Sequence, residues 1–345
     1  MKLDYELKFI ASMTIYASAI RKIRARIERA DAGIDPLRNV LITPLFINDE
    51  SVGMTREIVE EHKTRSVFFD SGGYYVQSGK IKYHELYMPL LKIYRNNRWA
   101  SVYILPDHVP TSTDTNETVD TKVQETIQTS EMFFREMPDE LKSRAMPVVH
   151  GRTQKQIDTC LKAYIRLGVR YIGFGSFGTM GKDNSVNIAT QNAVELAKYV
   201  IQVAHSNSIK VHLFGLGVPA LVAMIKGIGA DSFDSSAWLK AAGFGQVFLP
   251  FMRAYNISHG SVISELQKGI SLDQFTEYQH LTGHKCYYCE SPACLQDHKL
   301  NRAVHNLIVI AETVQMVNSG DYSHIQKIYH NGSKKYQEEF EKWLL

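Results

Sequence analysis

The sequence predicts an α/β protein, a (β/α)8 TIM barrel carrying a C-terminal zinc-binding subdomain with helices. Three observations lead there. Eight short β-branched or aromatic runs recur along the chain, and good helical periodicity follows most of them after a Gly-, Pro- or Asp-containing loop. Polar or glycine-rich clusters gather at the ends of those runs, where a parallel barrel places its chemistry. Three of the four cysteines crowd between Cys286 and Cys294.

The expected strands are Glu6–Ala11, Val40–Phe46, Ser66–Asp70, Ser101–Pro106, Met146–His150, Arg170–Gly175, Lys210–Phe214 and Ala230–Asp234. Helices are expected at Tyr83–Asn96, Val119–Glu136, Gln154–Leu167, Ala189–His205 and Pro219–Gly227. The barrel should span residues 1–260, with the zinc-binding and helical subdomain, residues 261–345, packed on it. A doubly wound open sheet is the alternative that the same alternation allows.

With 345 residues and 44% hydrophobic content, the chain can bury a large core. It has no apolar run near the ~20 residues of a membrane span and no signal-peptide layout, so a soluble, cytoplasmic protein without membrane contact is expected. Clustered cysteines read as metal ligands in a reducing compartment rather than as a disulfide framework. A net charge of +3 permits a nucleic-acid partner without arguing for one.

Six strand ends carry the polar residues: Asp70-Ser71-Gly72-Gly73-Tyr74, Pro106-Asp107-His108, His150-Gly151, Gly173-Phe174-Gly175-Ser176, Phe214-Gly215-Leu216-Gly217 and Asp231-Ser232-Phe233-Asp234. Singly, each has an ordinary use. Gly-Gly suits a turn, Asp107 a cap, and His150 a satisfied core position. Asp231 reads equally as a cap or as a second acid. In a barrel, however, three carboxylates and several glycines converge on one mouth, which a core does not require. In Cys286-x2-Cys289-x4-Cys294, followed by His298 and His305, three thiolates and an imidazole make the donor set that tetrahedral zinc prefers. Chemistry alone leaves the choice of histidine open. Cys160, inside a helical stretch, reads as core.

Together these segments resemble the tRNA-guanine transglycosylase superfamily, in the same order, from about Ser66 to His305. Asp70-Ser71-Gly72-Gly73-Tyr74 is similar to a stretch whose aspartate is the general acid/base and whose aromatic stacks on the base. Asp107 resembles the aspartate that reads the incoming deazaguanine, and His150-Gly151 falls where the family usually has Gln-Gly. Ser71, Gly175, Phe214 and Gly215 complete the implied base pocket, with Phe214 stacking opposite Tyr74. Asp231-Ser232-Phe233-Asp234 resembles a motif whose last aspartate is the covalent nucleophile, here Asp234. His305-Asn306-Leu307 looks like the segment that completes the zinc site, which implies one structural Zn2+ on Cys286, Cys289, Cys294 and His305.

Departures narrow the resemblance. The usual Pro-Thr-Arg-x-x-Arg after the nucleophile is replaced by Ser235-Ser236-Ala237-Trp238-Leu239-Lys240, and the cysteine spacing is not Cys-x-Cys-x2-Cys. These features are more like the DNA-guanine transglycosylases of phage and bacterial modification systems. The implied activity is exchange of guanine in DNA for a 7-deazaguanine such as preQ0, through a covalent aspartyl-sugar intermediate, in a bacterial cell or phage-infected host. A tRNA substrate is the alternative, as is a non-catalytic partner subunit, although such a subunit has no need of all three carboxylates. A homodimer or a modification-complex partner fits either reading. An unrelated lyase or aldolase barrel would instead need a phosphate or carboxylate site. Phosphate contacts are expected from Lys285, Lys299 and Arg302 beside the zinc, with Arg21, Lys22, Arg24, Arg26 and Arg29 reading equally as a solvated helix face.

Overall fold

The β-branched and aromatic runs all become strands of one parallel sheet in the computed structural model, which describes residues 5–62, 64–175, 179–180, 185–186, 191–258, 268–331, 338 and 341–343. The strands are β1 (Lys8–Ser12), β2 (Asn39–Ile42), β3 (Ser66–Phe69), β4 (Val102–Ile104), β5 (Ala145–Met146), β6 (Val148–Val149) and β7 (Tyr171–Phe174). After them come β8 (Thr179–Met180), β9 (Ser185–Val186), β10 (Lys210–Leu213), β11 (Ser232–Ser235), β12 (Gln246–Val247) and β13 (Tyr255–Asn256). The main sheet runs β5-β4-β3-β2-β1-β11-β10-β7-β6, while β8–β9 and β12–β13 are small antiparallel pairs.

The sheet closes through a proline. Its two outermost strands, β5 and β6, are separated in sequence only by Pro147, which has no N–H to donate to a ladder. Ala145–Met146 pairs with β4 on one side, and Val148–Val149 pairs with β7 on the other. The expected strand Met146–His150 is therefore one barrel strand read in two halves, and the fold is the expected (β/α)8 barrel.

Side-chain alternation sorts the strands into two faces. Ile10, Leu41, Phe68, Val102, Ile104, Met146 and Val148 fill the barrel interior, joined by Tyr171 and Phe214. Phe9, Val40, Val67, Phe69, Ile172 and Phe233 point outward into the larger cluster under the helices. The expected helices form with small boundary shifts. Gln154–Leu167 begins in a Thr153–Gln156 capping box and ends at left-handed Gly168. Among the described residues no helix is long and apolar enough to cross a membrane.

The wall beside β1 comes from far along the chain. Helix Lys299–Asn318 packs against β1, against helix Ala17–Ala30 and against helix Val222–Gly227. Asn306 is fully buried; its Oδ1 accepts from Phe248 N at 2.8 Å and its Nδ2 donates to Gln246 O at 3.0 Å. Asn318 accepts from Leu7 N at 3.0 Å and donates to Leu7 O at 2.8 Å.

Candidate active site and metal centre

The three carboxylates expected at the barrel mouth sit at the C-terminal ends of β3, β4 and β11, and each is held differently. Asp70 accepts from Thr43 Oγ1 at 2.9 Å and from Gly72 N at 3.3 Å. Burial, then the charges of Asp107 and Asp234, outweigh those bonds and push its carboxyl from an ordinary 3.8 up to about 7. Asp234 behaves oppositely. Burial alone would raise its pKa, but His212, Ser12 and the Gly215 N–H together hold it below the ordinary value. Its Oδ2 accepts from Ser12 Oγ at 2.6 Å, and its Oδ1 accepts from Gly215 N at 2.9 Å.

Asp107 is clamped on both oxygens. Ser71 Oγ donates to Oδ1 at 2.7 Å, and His150 Nε2 lies 2.8 Å from Oδ2. All three side chains are buried. Gly73 is required for this approach, because a Cβ there would sit 2.7 Å from Asp107 Oδ1. Gly175 does the same for His150, whose Cε1 would lie 2.6 Å from an added Cβ. Gly173 admits the Phe214 ring, which a Cβ would meet at 2.2 Å. Tyr74 stands half-exposed at the mouth with the Lys240 ammonium 5.5 Å from its ring centroid. Ser176, at the end of the β7 motif, lies outside the described residues.

Asp231 belongs elsewhere. Its Oδ2 accepts from Val211 N at 2.8 Å and pairs with His205 at 2.9 Å, at the N-terminal end of the barrel. A cavity of about 710 Å3 also opens at that end, among Arg144, Arg170, Tyr171 and Lys210. It does not reach the carboxylates.

The second cluster gathers His284, Cys286, Cys289 and His305, whose ligand atoms all lie within 4.8 Å of one another. Cys286 Sγ and Cys289 Sγ are 3.4 Å apart, and His305 Nδ1 lies 3.6 Å and 3.4 Å from them. The histidine hydrogen bonds fit a metal. His305 Nε2 donates to Phe248 O at 2.8 Å, which leaves the Nδ1 lone pair facing the sulfurs. His284 Nδ1 is held by Glu312, and its buried Nε2 has no hydrogen-bond partner. Two thiolates and two imidazoles suit tetrahedral Zn2+.

Cys294, expected as the third thiolate, is not in this group; its Sγ donates to Tyr288 O at 3.5 Å. His284 takes its place. It stands two residues before Cys286, so His284-x-Cys286-x2-Cys289 keeps the Cys-x-Cys-x2-Cys spacing with histidine first. That pattern was the available signal, and counting cysteines alone missed it. His298 is exposed at the start of helix Lys299–Asn318, away from the group.

The basic residues need one correction. Arg302 is 7% exposed and donates to Ala242 O, Leu295 O and Gln296 O, so it caps helix ends and cannot meet phosphate. Lys285 and Lys299 are exposed. Arg21 is paired with Glu50 of helix Asp49–Glu60, and Arg24 with Glu61 just beyond its end.

The sequence signature of the queuine tRNA-ribosyltransferase family matches residues 94–319, well over half of the chain. The chain belongs to that family. The matched stretch contains Asp107, His150, Phe214, Asp234 and the whole His-Cys-Cys-His group, while Asp70 precedes it. As a member of the queuine tRNA-ribosyltransferase family, it is a guanine transglycosylase in the broad sense, a glycosyltransferase-type enzyme for a nucleic acid and a guanine-type base. No curated protein matches the chain in sequence.

Proposed function

We propose that this member of the family exchanges guanine in DNA for a 7-deazaguanine, with Asp234 as covalent nucleophile and Asp70 as general acid/base. The observation that carries the reading is the opposite tuning of two carboxylates at one mouth. Asp70 is raised to about 7 by burial and neighbouring charge, so it holds a proton to give near neutrality. Asp234, held low by its donors against the pull of burial, remains an anion able to attack.

In the first half of the reaction the Asp234 carboxylate bonds to the sugar C1′ as the bond to guanine breaks, and Asp70 protonates the leaving base. In the second half the incoming base gives its proton to Asp70 and attacks C1′, which releases Asp234. Two displacements at one carbon retain its configuration, as in retaining glycosidases. Tyr74 and Phe214 would cover the faces of the base, and Asp107, oriented by Ser71 and His150, would accept from its edge. Gly175 admits the close approach of His150, and Gly215, in the left-handed region, donates its N–H to Asp234. The target nucleotide must leave its stack to bring C1′ to Asp234.

A zinc ion on His284, Cys286, Cys289 and His305 would staple the segment before helix Lys299–Asn318 and contribute folding energy. DNA is favoured over tRNA because the segment after Asp234 carries Lys240 in place of the usual arginine pair. Labelled guanine or preQ0 offered with DNA and tRNA side by side tests the reading. Label entering DNA supports it, label entering tRNA alone restores the tRNA substrate, and label entering neither refutes exchange.

A further inference from the structure

Among the described residues of the barrel interior, His212 is a titratable side chain that the proposed reaction leaves unused. His212, in the middle of β10, is fully buried between the Phe68 and Phe214 rings, with centroids 5.5 Å and 4.6 Å away. Its Nδ1 lies 2.8 Å from Ser232 Oγ, and Ser232 Oγ in turn meets the Tyr171 hydroxyl. Its Nε2 lies 3.4 Å from Asp234 Oδ1 and has no hydrogen-bond partner. A buried imidazole nitrogen left short of a bond beside a carboxylate oxygen is costly unless the two are made to interact.

Both hydroxyls can donate or accept, and one of the two orders places the ring proton beside Asp234. Tyr171 can donate its hydroxyl proton to Ser232 Oγ, and Ser232 can donate its own to His212 Nδ1. In that order Nδ1 is an acceptor, so the proton of a neutral ring resides on Nε2, beside Asp234 Oδ1. The strands fix this chain sterically. Register pairs His212 with both Gly173 and Ser232, and alternation turns Tyr171, His212, Ser232 and Asp234 all toward the barrel axis.

We propose that His212 is a positioning residue for Asp234, its Nε2–H oriented through Ser232 and Tyr171 so that it holds Oδ1 and keeps the carboxylate an aimed anion. This rests on the reading of Asp234 as nucleophile. His212 is the nearest side chain able to donate to Oδ1, while the charges bearing on Asp234 are Asp70, which opposes its ionisation, and the more distant Lys240 ammonium. Asp231 bears on Tyr171 but is tied down by His205 and the Val211 N–H.

The test compares His212→Phe, which keeps a ring and removes the donor, with His212→Gln, which keeps an N–H donor. The readouts are the single-turnover rate of covalent adduct formation against pH, nucleic-acid affinity, and the nitrogen-15 shifts of His212 in the wild-type protein. Loss of the donor should move the acid limb of the rate upward by about one pH unit and slow the reaction about tenfold at pH 7. Affinity should change less than about twofold, because no phosphate contact is touched. His212→Gln should recover most of the rate. Equal losses in both variants, or an unmoved acid limb, would overturn the proposal and make His212 a packing residue. The nitrogen-15 shifts need no turnover and decide the matter even if His212→Phe fails to fold. An Nε2–H tautomer supports the proposal, and a proton on Nδ1 overturns it. A wild-type protein that forms no adduct would refute the proposed function instead.

Discussion

Replacing Asp70 by Asn should stabilise the protein in alkali while it abolishes base exchange. The Asp70 carboxyl is displaced from 3.8 to about 7, which at ~1.4 kcal/mol per pH unit amounts to ~4 kcal/mol. The sign follows from the direction. A carboxyl whose folded pKa is raised binds its proton more tightly when folded, so its contribution is complete below pH 3.8 and is lost as pH rises through about 7. Asn does not titrate, and its carbonyl can still accept from Thr43 Oγ1 and Gly72 N. The stability difference between variant and wild type should therefore shift toward the variant by a few kcal/mol between pH 5 and pH 8. Denaturant unfolding at several pH values, at constant zinc, measures it, since every other titrating group is common to both proteins. Parallel stability curves for the two proteins would refute the reasoning, because Asp70 would then ionise as freely folded as unfolded.

Asp234→Asn should leave no covalent adduct on a denaturing gel, whereas Asp231→Asn should retain it, because Asp231 lies at the far end of the barrel. Metal analysis should find one zinc per chain, lost in His284→Ala with a fall in Tm on the order of 10 °C and retained in Cys294→Ser. Gly73→Ala places a Cβ 2.7 Å from Asp107 Oδ1, and steady-state kinetics should show the displaced carboxylate as a roughly tenfold to hundredfold loss in kcat/KM for the base. Joint reversal of Lys240, Lys285 and Lys299 to Glu should weaken DNA binding at every sequence and flatten its salt dependence, measured by titration at several ionic strengths.

Much of the architecture was legible because β-branched runs and loop glycines carry strong local signals. All eight runs contain strands; Val40–Phe46 gives way to a 3-10 helix at Pro44–Phe46, and the split at Pro147 follows from a missing N–H. The mouth residues were legible because Asp, Gly and aromatic side chains at strand ends have few competing uses in combination. What stayed hidden depends on contacts across the chain. His284 looks like any loop histidine until Glu312 occupies one nitrogen and leaves the other facing the sulfurs. His212, flanked by Val211 and Leu213, reads as an interrupted apolar strand, and only the register with Ser232 turns it toward Asp234. Arg302 carried the charge expected of a phosphate contact, yet it lies within reach of three carbonyls at helix ends.

The bonds between Asn318 and Leu7 join points 311 residues apart. During synthesis, β1 leaves the ribosome before the other described strands, yet one of its two ladder neighbours, β11, comes more than 200 residues later. The helix that covers it comes later still. Until then the strand presents an unpaired edge and a bare apolar flank, the conditions under which nascent chains associate wrongly. The metal-binding segment emerges between β11 and that helix, so zinc capture and barrel closure fall in the same late window. Zinc starvation during expression should therefore reduce the yield of folded protein more severely than stripping the metal from molecules already closed.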